Sequence, residues 1–112
     1  MSTGYIRYRS GYKYQLAEDY EIHTRIRPPQ DIADDFISLD RQGNLKVSKG
    51  YAWDGVSGPV PDTSSNLRAS LIHDALYQLM RKRKLSASAH RDSADQLFRD
   101  ICREDGVPSL IA

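Results

Sequence analysis

His73 and Tyr77 stand one helical turn apart with Asp74 between them, and a further carboxylate, Asp95, follows in the next apolar-patterned segment. Histidine exchanges protons near neutral pH because its ordinary pKa is about 6.5. An aspartate bonded to one ring nitrogen fixes the tautomer and stabilises the imidazolium, which leaves the other nitrogen to take a proton from water. These residue types in this order predict general-base chemistry: His73 as the base, Asp95 as its orienting acid, and Tyr77 as a hydroxyl that helps to satisfy that buried carboxylate. Asp92 is the competing acid.

On a helix Asp74 points away from that pair, toward the preceding loop Tyr51 to Pro59. Gly55 and Gly58 allow backbone carbonyls to turn toward a common point, and carbonyls with a carboxylate are the hard oxygen ligands that Ca²⁺ takes. Asp74 together with Trp53, Gly55 and Ser57 is therefore the candidate metal site, where a cation would polarise an ester carbonyl. An equally open reading has Trp53 filling the core and Asp54 bonding its own backbone in a turn.

The elements that must position these groups follow from pattern. Tyr5–Arg9 and Tyr12–Leu16 alternate around Ser10-Gly11, which predicts a hairpin. Tyr20–Ile26 is another alternating segment, stopped by Pro28-Pro29, and Phe36–Leu39 with Leu45–Val47 flank turn chemistry at Asp40–Asn44. From about Ser64 the period changes. Leu67, Leu71, Ile72, Ala75, Leu76, Leu79 and Met80 mark the buried side of a helix that starts at Thr63, Ser64 or Ser65 and stops near Lys84. Its polar wedge holds Ser70, Asp74, Gln78 and Arg81, with His73 partly buried at the boundary. Leu85–Ala89 reads as a linker, and Ala94, Leu97, Phe98 and Ile101 mark a second helix ending before Gly106. The expected fold is α+β: a small antiparallel meander of hairpins in the amino-terminal half, packed with a carboxy-terminal antiparallel helix pair. One domain is expected over residues 1–112, with a β-rich part (1–53), a loop (54–62) and a helical hairpin (63–106).

Composition narrows the partners. With 16 Lys and Arg against 15 Asp and Glu, the formal charge of +1 lacks the positive field of a nonspecific nucleic-acid binder. No apolar run reaches the roughly 20 residues that span a bilayer, and Met1–Arg9 is too polar for a signal peptide. Cys102 is the single cysteine, which excludes an internal disulfide and points to a reducing compartment, the cytoplasm by default, or a particle assembled in one. It lies on an apolar helical face and reads as a buried thiol. Arg81–Lys84 reads as a solvated helix end, and His23 and His90 as ordinary surface or strand residues. A metal phosphohydrolase set of His23, His73, Asp74 and Asp95 would need His23 on a helix, where the pattern gives a strand.

Gly55, Pro61-Asp62, His73-Asp74 with Tyr77, and Ala94-Asp95 with Phe98 resemble the core of the phospholipase A2 superfamily, in particular its disulfide-free branch in the minor capsid protein of parvoviruses. The resemblance implies that His73 is the general base, that Asp74 binds Ca²⁺ with loop carbonyls, that Asp95 orients His73, and that the substrate is a lipid or related acyl ester. It covers roughly residues 51 to 104. The family's calcium loop is richer in glycine than Trp53–Gly58, and the amino-terminal strands have no counterpart there. The segments around Trp53-Asp54-Gly55 and His73–Tyr77 also resemble uncharacterised phage and prophage proteins, a likeness that implies no activity. The competing expectation is a non-enzymatic module that meets a phage virion or host protein, with His73, Asp74, Tyr77 and Asp95 as a structural polar network.

Overall fold

The computed structural model describes residues 8–9, 14–54 and 64–106. Seven short strands precede two helices: β1 (Tyr8–Arg9), β2 (Tyr14–Leu16), β3 (Tyr20–His23), β4 (Ile32–Ala33), β5 (Ile37–Leu39), β6 (Asn44–Val47), β7 (Ala52–Trp53), α1 (Ser64–Arg81) and α2 (Ala87–Glu104). The expected α+β class is what the chain adopts. Two antiparallel sheets form, one ordered β1-β2-β7 and the other β3-β6-β5-β4. The turn expected at Ser10-Gly11 and all but Asp54 of the loop expected over 54–62 lie outside the described residues.

Alternation sets the buried face of the larger sheet. Tyr20 and Ile22 of β3 point inward while Glu21 and His23 point out, and pairing places Ile22 opposite Leu45 and Leu39 opposite Leu45 in turn. Ile37, Leu39, Leu45 and Val47 then join Leu67, Leu71, Ile72, Ala75, Leu76 and Leu79 of α1 in a single buried cluster. His23 is exposed on its strand and bonds the carbonyl of Gln42, as expected of an ordinary strand residue.

The β5–β6 turn is held by Asp40, whose carboxylate accepts from the backbone N–H groups of Gln42 and Asn44, both at 2.9 Å. Gly43 completes it at φ +93°, and a methyl group there would collide with the carbonyl oxygen of Thr24. That oxygen belongs to backbone, which cannot swing aside. Gly43→Ala is therefore expected to cost about 2–3 kcal/mol, read as a lower urea midpoint with an unchanged slope.

Helix α2 begins earlier than its apolar pattern predicts. Ser86 caps it, its hydroxyl accepting from the Ala89 N–H at 3.2 Å, so Ala87–Ala89 are helix and the expected linker shrinks to the turn before Ser86. The end at Gly106, with φ +96°, matches expectation. Helix α1 stops at Arg81, three residues short of the expected Lys84.

Candidate active site

Helix α1 carries two adjacent polar stripes, and each meets a different partner. His73 and Tyr77, four residues apart, face α2. His73 Nε2 lies 2.8 Å from Asp95 Oδ1, and the Tyr77 hydroxyl donates to the same oxygen at 2.6 Å. An ionised carboxylate only accepts, so Nε2 carries a proton, and in the neutral ring Nδ1 is the bare nitrogen. No described residue bonds Nδ1.

The ring is fixed from both sides. Tyr77 stacks on it at 4.2 Å between centroids with the planes 28° apart, and Phe98 meets it edge-on at 5.3 Å. Water still reaches the pair, since the side chains of His73 and Asp95 are 32% and 36% exposed. The Tyr77 hydrogen bond holds the Asp95 carboxyl below its ordinary range against the opposing effect of burial, with the His73 bond adding to it. Burial and the bond to Asp95 push the Tyr77 phenol up, so it stays a donor. Asp92, the competing acid, is exposed, while Asp95 makes the contact.

The second stripe is Ser70, Asp74 and Gln78. Ser70 is buried, contrary to the expectation of a solvent-facing wedge, because its hydroxyl accepts the Trp53 indole N–H at 2.9 Å. Trp53 fills the core, as one of its two readings had it. Asp74 does point toward the start of the loop expected from Tyr51 to Pro59, where its Oδ2 accepts a hydrogen bond from the Tyr51 hydroxyl, which also lies 3.2 Å from Gln78 Oε1. Burial, and then the Asp74 carboxylate, push the Tyr51 phenol far above its ordinary value.

These contacts bear on the candidate Ca²⁺ site. Of the four proposed ligands, Gly55 and Ser57 lie outside the described residues, Trp53 would offer its backbone carbonyl, and Asp74 is half-buried with one oxygen accepting from Tyr51. One carboxylate and one carbonyl fall short of the six to eight oxygens that Ca²⁺ takes. Among the described residues no group of three or more His, Cys, Asp or Glu is arranged to hold a metal. The described donors alone do not build the site.

Asp34 extends the Asp74 network across the surface. Gln78 Nε2 reaches Asp34 Oδ2 at 3.5 Å, and Lys82 and Lys84 donate to its carboxylate at 2.9 and 3.3 Å. The expected solvated helix end is thus partly tied down. The Lys82 bond, opposed by desolvation, holds the Asp34 carboxyl down to about 2 from 3.8. A depressed carboxylate stabilises the fold above its unfolded value and stops doing so as pH falls through the folded one. Wild type is expected to lose more stability than Asp34→Asn between pH 3.8 and about 2, compared by urea midpoints.

Residues 31–112 match the family model described as a protein of unknown function, DUF1353. The chain belongs to the DUF1353 family. No curated protein and no solved structure matches it. In this DUF1353 chain the matched stretch holds β4 to β7, both helices and the entire His73, Tyr77 and Asp95 cluster, whereas β1 to β3 precede it. No described helix is long and apolar enough to cross a membrane.

Sequence reasoning missed Tyr51 as the partner of Asp74 and Arg68 as a buried charge. A signal existed for each. Tyr51 shares the inward parity of Trp53 two residues on, and Arg68 falls inside the apolar arc of α1, one turn from Ile72 and beside Leu67.

Proposed function

We propose that this chain hydrolyses an acyl ester with water activated at His73. The observation that carries the reading is the 2.8 Å bond from His73 Nε2 to Asp95, on a ring whose other nitrogen has no protein partner among the described residues. Water oxygen attacks the carbonyl carbon while its proton passes to Nδ1, and Asp95 stabilises the imidazolium that results. Collapse of the tetrahedral intermediate breaks the acyl C–O bond, and the proton on Nδ1 goes to the departing alkoxide. The products are a carboxylic acid and an alcohol. Tyr77 and Phe98 hold the ring.

The phospholipase A2 likeness makes a phospholipid acyl ester the first substrate to try. It also implies a Ca²⁺ ion at Asp74 with Trp53, Gly55 and Ser57, which would polarise the ester carbonyl. Residence in a bacterial host cytoplasm, in a phage context, belongs to the same proposal. A second reading has a specific observation in its favour: among the described residues every buried side-chain nitrogen and oxygen is hydrogen-bonded. The same set then serves as a polar network that specifies packing in a virion or host-interaction module.

Fatty-acid release separates the two. The purified chain is incubated with phosphatidylglycerol and phosphatidylcholine vesicles and with a soluble short-chain ester, in millimolar Ca²⁺ or in chelator. Acid production above buffer is the expected result. Absence of release from every substrate in both conditions would remove the hydrolase and leave the packing network.

A further inference from the structure

Helix α1 is hydrogen-bonded along two stripes at once. Ser70, Asp74 and Gln78 recur every four residues, and all three are met by the segment Tyr51 to Trp53: Ser70 by the indole N–H, Asp74 and Gln78 by the Tyr51 hydroxyl. The neighbouring stripe, His73 and Tyr77, is met by Asp95 from α2. Apolar packing alone tolerates small rotations of a helix about its axis. Directional bonds on two sides do not.

The consequence for His73 is quantitative. A rotation of about 10° moves a side-chain atom about 6 Å from the axis by about 1 Å. Functional groups need placement within about 0.5 Å, and misplacement by 1 Å costs as much as 10²-fold in rate. Tyr51 is 3% exposed, and its hydroxyl is seated one residue beyond His73 on the same helix. Gln78 in turn reaches Asp34, which Lys82 and Lys84 brace.

We infer that Tyr51 and Asp74 are a positioning pair: the phenol hydroxyl seated on the Asp74 carboxylate sets the rotation of α1 at which the His73 ring meets Asp95. The inference rests on the reading of His73 and Asp95 as the working pair. It assigns Asp74 the task of accepting a hydrogen bond, which depends on the presence of an acceptor oxygen and not on a negative charge.

Asp74→Asn keeps an acceptor and loses the charge; Asp74→Ala loses both; Tyr51→Phe removes the donor. Two readouts are taken on each folded variant: kcat and KM on a soluble ester, and the His73 Nε2–H resonance in proton and nitrogen spectra. Asp74→Asn is expected to keep the resonance at its wild-type position. Asp74→Ala and Tyr51→Phe are expected to lose or shift the resonance, with kcat about tenfold lower at unchanged KM, a loss that corresponds to about 1.4 kcal/mol. Equal loss of the resonance in Asp74→Asn and Asp74→Ala overturns the inference, because the charge is then what matters. So does a wild-type resonance in Tyr51→Phe. If wild type hydrolyses nothing while the resonance follows the expected order, the hydrolase reading fails and the positioning pair stands.

Discussion

His73→Gln is expected to lower ester hydrolysis by about 10²–10⁴-fold while leaving the fold in place. Glutamine offers an amide donor that can face Asp95, but it has no nitrogen that accepts a proton at neutral pH. The loss corresponds to about 3–5.5 kcal/mol of barrier. Stability should move by much less, under about 1 kcal/mol, because the ring is one-third exposed and its contacts are with Tyr77, Phe98 and Asp95 at the domain surface. Initial rates on the soluble ester and thermal melts on the same preparation check both halves. Full activity in a folded His73→Gln protein would assign the chemistry elsewhere.

The second large effect is on stability. Arg68 is buried with its side chain 2% exposed, and it joins three parts of the chain. Its Nε and Nη2 each donate to Asp105 at 3.0 Å, Nη2 also reaches Glu104 at 2.7 Å, and Nη1 donates to the Tyr20 hydroxyl at 2.8 Å. Burial works against the charge, but Asp105, Tyr20 and Glu104 outweigh it, so the guanidinium is held above its ordinary value and stays protonated. Arg68→Ala removes the cation from beneath Asp105, which is only 11% exposed, and leaves a void where β3, α1 and the end of α2 meet. Breaking a buried pair from one side costs about 3–5 kcal/mol. The low end applies, since Glu104 is 62% exposed and can return to water. A cost of about 3 kcal/mol is expected in urea denaturation, against under about 1 for Glu104→Gln. Arg68→Lys should fall between, because an ammonium keeps the charge and forfeits the two-pronged bond to Asp105.

How far the sequence foretold the structure depends on whether a signal was local. The helix α1 stripe and the Asp40–Asn44 turn were legible because periodicity and turn chemistry act within a few residues. The start of α2 was not: Ala87–Ala89 carry no apolar period, and what makes them helical is the Ser86 cap and the high helix propensity of alanine. Asp95 was legible as the partner of His73 because it sits beside Phe98 at the edge of the inward stripe of α2. The fate of the other polar stripe was half hidden. Asp74 was placed toward the loop that begins at Tyr51, but Ser70 and Gln78 read only as a polar wedge, because the tertiary path of Tyr51 to Trp53 across α1 covers them and nothing within α1 itself records that path.

The same distinction governs the charges. Arg68 could be seen to interrupt an apolar arc, yet its carboxylate acceptors lie 36 and 37 residues away at the end of α2, beyond any local rule. Asp34 and the lysines of Lys82 to Lys84 are separated by 48 and 50 residues. Helix ends of this kind read as solvated until the fold supplies a counter-charge.

The ring proton of His73 tests the account most directly. A long-range nitrogen–proton spectrum of wild type, taken at a pH where the imidazole is neutral, should show His73 protonated at Nε2 and bare at Nδ1, with the Nε2–H shifted downfield and slow to exchange. Asp95→Asn should abolish that downfield shift. A ring protonated at Nδ1, or an Nε2–H that exchanges freely with water and ignores Asp95→Asn, would contradict the claim that Asp95 holds this histidine as a base.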